Sequence, residues 1–84
     1  MQLGYFVNGG YRALSVVSMT NLAWIWAHGY RMGLVMPNGM HYQGLIYGLS
    51  VESGYKEGER LQHVVVRLNT GKRLDEVCVP LSNG

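Results

Sequence analysis

Four side chains in the sequence have the chemistry to hold a soft metal ion: His28, His41, His63 and Cys78. Zinc sites commonly draw two ligands from one local turn, which places them a few residues apart. None of these four is so paired, so no metal or other cofactor is expected. Cys78, His63 and Asp75 fall within one stretch, Leu61 to Leu81. A hairpin there could bring a thiol, an imidazole and a carboxylate into contact, the ingredients of an activated nucleophile. A reactive thiol, however, sits in an electropositive, partly exposed niche. Cys78 stands between Val77 and Val79, the setting of a small, inert core side chain. The carboxylates offer no better pair. Glu52, Glu57 and Glu59 share a polar segment, and the neighbours Asp75 and Glu76 would face opposite sides of a strand. Gly54 and Gly58 flank Tyr55-Lys56-Glu57, a spacing that fits neither a phosphate loop nor a dinucleotide fingerprint, and acidic neighbours would repel phosphate. The sequence therefore reads as non-enzymatic, with no catalytic or cofactor-binding residue.

Binding chemistry is better represented. Trp24, Trp26, Tyr30, Met36 and Tyr42, with Met32 and Met40 nearby, are many large, adaptable side chains for so small a chain. Trp and Tyr are favoured interface anchors, and Met suits irregular contacts. A domain this small leaves much of its surface in water, and 48% of its residues are hydrophobic. That balance favours self-association through an exposed apolar patch. The expectation is a small binding module, a homo-oligomer that engages a protein partner through an aromatic and Met surface. Short, motif-poor chains of this kind suit a mobile-element or phage accessory factor. Two alternatives belong to other classes. A single-stranded nucleic-acid binder would use Arg12, Arg31, Arg67, Lys72 and Arg73 beside stacking aromatics. A small-ligand carrier would hold its ligand in a Trp- and Met-lined pocket at a subunit interface.

The elements that must position these groups are legible in outline. At 84 residues, one domain spanning 1–84 is expected. The net charge of +2 is scattered, with no run of like charge to imply nucleic acid or membrane by itself. A lone cysteine excludes an internal disulfide and fits a reducing, cytoplasmic setting. The stretch MQLGYFVNGG has no basic n-region or long apolar core, so no signal peptide is expected. The apolar run from Ala13 to Ala27 is interrupted by polar residues and falls short of the ~20 residues of a membrane span.

Gln2–Val7 and Tyr11–Val17 read as strands joined at Asn8-Gly9-Gly10, a hairpin turn signal. Ser18–Gly29 reads as the one helix, with Thr20 as its cap and Gly29 as its stop. A strand competes there, because Leu22, Trp24 and Trp26 also alternate. Tyr30–Met36 and Met40–Val51 read as strands around a Pro37-Asn38-Gly39 turn, and Gly44 and Gly48 imply a bulge or a close approach. Glu52–Arg60 reads as a polar loop, and Ser82-Asn83-Gly84 as a frayed tail. GYRALSV at Gly10 and GYRMGLV at Gly29 form a faint internal echo, for which chance helped by biased composition outweighs a true duplication that would make the two hairpins equivalent.

The clearest signal is the terminal hairpin, Leu61–Leu81. Val64, Val66 and Leu68 lead into Asn69-Thr70-Gly71, and Arg73–Val79 returns. From Met40 onward, a glycine-containing strand, a polar loop, V-x-V-x-L-N-T-G-K and V-x-V-P resemble the strand rhythm of SH3-like small barrels of the Tudor or KOW type. The resemblance covers about half the chain and rests on spacing. The Tudor aromatic cage has no residue-by-residue counterpart, and the N-terminal hairpin and helix fall outside the pattern. The expected fold is α+β, mostly antiparallel sheet in the order β-β-α-β-β-β-β. Such a sheet could curl into a small SH3-like barrel, with the helix covering one face or end.

Overall fold

The computed structural model describes residues 1–56 and 59–82. Its elements are β1 (Gln2–Val7), β2 (Gly10–Ala13), α1 (Met19–His28), β3 (Arg31–Val35), β4 (His41–Lys56), β5 (Glu59–Asn69) and β6 (Leu74–Pro80). All six strands join one antiparallel sheet in the order β2-β1-β3-β4-β5-β6. The broad expectation, an α+β chain that is mostly antiparallel sheet with one short helix, describes it.

The N-terminal hairpin forms because Asn8 and Gly9 both take positive φ, 49° and 77°. That is the mirror-image turn whose twist matches the strands it joins. Beyond Ala13 the chain leaves the sheet edge, so β2 is shorter than the expected Tyr11–Val17. Leu14 still donates to the Leu3 carbonyl, whereas Val17 is buried and exchanges two hydrogen bonds with Ser82, at 2.9 and 3.0 Å. Ser82 follows the opposite edge strand, so the segments that leave the two edge strands meet at this corner. No β2–β6 pairing closes the sheet among the described residues. Among those residues the sheet is therefore open, and the expected closure into a barrel is not formed.

The helix begins at Ser18, not Thr20. The Ser18 backbone is extended and its Oγ accepts from the Asn21 amide at 3.1 Å. Gly29 ends the helix in the left-handed conformation, φ 69°, returning its amide to Ile25 and Trp26. Ser18→Ala is expected to cost about 1 kcal/mol in urea unfolding, while Thr20→Ala should be near neutral. Equal losses would contradict the assignment.

The core lies between α1 and the inner sheet face. Leu22 and Ile25 of the helix are fully buried against Leu3, Met32, Leu34, Ile46, Val64, Val66, Leu68, Val77 and Val79. Along β4 the pairing register shifts between Ile46 and Gly48. This bulge exchanges the faces: Tyr42 and Ile46 point inward before it, and Leu49, opposite Val66, after it. Gly44 has the other role expected, close approach, since a Cβ there would lie 2.5 Å from the Asn69 carbonyl oxygen.

The segment read as a polar loop is mostly strand. β4 and β5 stay paired from Glu52↔His63 to Lys56↔Glu59, a two-stranded arm extending past the end of β6. Glu57 and Gly58 of that segment, and Asn83 and Gly84 of the expected tail, lie outside the described residues. The echo at Gly10 and Gly29 corresponds to unlike structures. Gly10–Ala13 is an exposed edge strand, and Arg31–Val35 is an internal strand with three buried residues.

Candidate functional site

The residue types weighed for chemistry are dispersed. In β5 and β6, Val64 pairs with Val79 and Val66 with Val77 on the inner face. Alternation then puts His63 and Cys78 on the outer face, and Asp75, opposite the buried Leu68, on the inner one. The thiol, imidazole and carboxylate therefore do not converge. Cys78 is exposed, not buried as its flanking valines implied, because those valines are the inward pair. Among the residues described, no three His, Cys, Asp or Glu side chains are grouped for a metal ion. Nor is any helix there long and apolar enough to cross a membrane.

The five basic residues named for nucleic acid do not share one groove. Arg12 stands opposite Tyr5, on the inner side of the β2 edge. Arg31 and Arg67 lie on the outer face. Arg67 reaches across it to Glu76 and Ser50, each at 3.1 Å. Lys72 is at the β5–β6 turn, where Arg73 Nε lies 3.0 Å from an Asp75 carboxylate oxygen.

Aromatic residues do converge. Trp24 and His28 are one helical turn apart, so their side chains lie along the same edge of α1. Their ring centres are 4.2 Å apart. The His28 Nδ1 lies 2.8 Å from the Trp24 carbonyl oxygen. A carbonyl only accepts, so Nδ1 carries the hydrogen, and in the neutral ring Nε2 is left as an acceptor. The turn at Gly29 brings Tyr30 back beneath this pair, 5.8 Å from His28 and 5.6 Å from Trp24. Tyr5 of β1 completes the group, stacked on Tyr30 at 5.4 Å and edge-on to Trp24 at 5.7 Å. Tyr5 and Tyr30 rest on the core, whereas Trp24 is 45% exposed. The result is a four-ring shelf, fixed from below and open above, with Arg12 across from Tyr5 at its β2 end.

Of the residues expected to bind a partner, Trp24 and Tyr30 belong to this shelf. Trp26 is 44% exposed, but two helical positions are about 200° apart, so it lies on the other flank of α1. Met36 and Tyr42 are half-buried against the core. Tyr5 and His28 were not anticipated. The spacing of four between Trp24 and His28 was available in the sequence, while the β1–α1 contact that adds Tyr5 was not.

Comparison with known proteins returned no match to a family model, a curated protein or a solved structure.

Proposed function

We propose that the protein is a non-enzymatic binding module that self-associates and engages its partner through the shelf of Tyr5, Trp24, His28 and Tyr30. The observation that carries this reading is Trp24 itself, held by three rings yet nearly half open to solvent. Such an anchor loses little side-chain entropy when it is covered, which is the character of an interface hot spot.

Dilution monitored by ¹⁵N–¹H spectra tests the proposal. Amide shifts at Trp24, His28, Gly29 and Tyr30 are expected to move together with concentration. Concentration-independent shifts at all four, with movement elsewhere, would place any contact on a different surface.

A further inference from the structure

The sheet face opposite the helix carries a second concave feature that the shelf does not use. Tyr11 and Phe6 lean over the backbone of this face and pack against Gly4 and Gly33. Glycine at positions 4 and 33 makes this possible. A Cβ at Gly4 would come within 2.7 Å of the Tyr11 ring, and one at Gly33 within 2.9 Å of Phe6. Tyr11 is anchored there, its hydroxyl donating to the Gly33 carbonyl oxygen at 3.3 Å. Burial raises that hydroxyl above the ordinary tyrosine range, so it is a neutral donor at physiological pH. The two rings, 5.2 Å apart and tilted 57° to each other, form one wall of a trough of about 230 Å³. Across from them stand Gln2 and His41, the two ends of a row paired through Val35, and Gln43 opposite Gly33.

We propose that this trough is a binding site for a small, neutral, planar ring with an amide edge. Three features define that class. The aromatic wall offers ring faces and edges against which a flat ring packs. Two carboxamides and an imidazole at the rim supply both donors and acceptors. Among the described residues no Asp, Glu, Lys or Arg lines the trough, so nothing there compensates a charged ligand on desolvation. At roughly 30 Å³ per water molecule the volume equals seven or eight waters, enough for one substituted six-membered ring.

The test is a ¹⁵N–¹H titration of the intact chain with uridine and nicotinamide, and with benzoate as the charged control. Saturable shifts at Gln2, Tyr11, Gly33, His41 and Gln43 are expected for the two neutral probes. Gln43→Ala should weaken binding about three- to tenfold, the loss of one hydrogen bond. Position 43 is exposed, so the variant keeps the fold. The absence of saturable shifts at the trough overturns the proposal. So does benzoate binding as tightly as the neutral probes, or unchanged affinity in Gln43→Ala.

Discussion

Leu22→Ala is expected to destabilise the protein by about 2–5 kcal/mol. Leu22 is fully buried in the only layer covering the inner sheet face among the described residues, and the strand members of the same core cluster, among them Met32, Leu34 and Val66, are held by sheet pairing. Strands locked in register cannot collapse into the vacated volume, so the cavity cost persists. A domain of 84 residues has a total stability of about 4–13 kcal/mol. The substitution therefore removes a large share of it, and at the upper end the chain unfolds. Urea unfolding followed by tryptophan emission reads the loss directly, because both tryptophans lie on α1. Leu74→Ala is the control: Leu74 is 64% exposed and should change stability by under about 0.5 kcal/mol. Similar midpoints for the two variants would mean that the helix does not cover the core as described.

Trp24→Ala is expected to weaken self-association by about 30-fold or more, the scale of a hot-spot truncation. The chain should still fold, losing about 1 kcal/mol from the Tyr5 and His28 ring contacts. Trp26→Ala is the matched comparison. It removes an indole of nearly equal exposure from the opposite flank of the helix, so association should change by less than about threefold. Sedimentation equilibrium on both variants separates the effects. Equal weakening would show that the helix contributes general apolar area rather than the shelf.

Local chemistry made much of the fold legible. Asn8-Gly9, Pro37-Asn38-Gly39 and Gly29 each fixed a chain reversal, because few residues tolerate the backbone that these sites require. Features set by distant pairing were not legible. The bulge after Ile46 exchanges the faces of β4, so no single alternation runs through that strand. In β6 both alternating sets mix polar and apolar residues, and only pairing with Val64 and Val66 turns Val77 and Val79 inward and leaves Cys78 outside. The arm beyond Glu52 is strand because β4 and β5 keep pairing past the end of β6, which no local pattern reveals. The shelf was half readable. Trp24 and Tyr30 were identified by type, but Tyr5 joins them only because β1 lies beside β3, with β2 and α1 between them in sequence. The trough depends on Gly4 and Gly33 being cross-strand neighbours, a register that no local pattern reveals.

The central claim is that Trp24 and its neighbours form a contact surface, and molar mass by light scattering after size exclusion, over a tenfold concentration range, tests it most directly. The account predicts a dimer or larger species for the natural sequence and a shift toward 9.4 kDa for Trp24→Ala. A 9.4 kDa monomer at every concentration for the natural sequence, or an oligomer unchanged by Trp24→Ala, would contradict it.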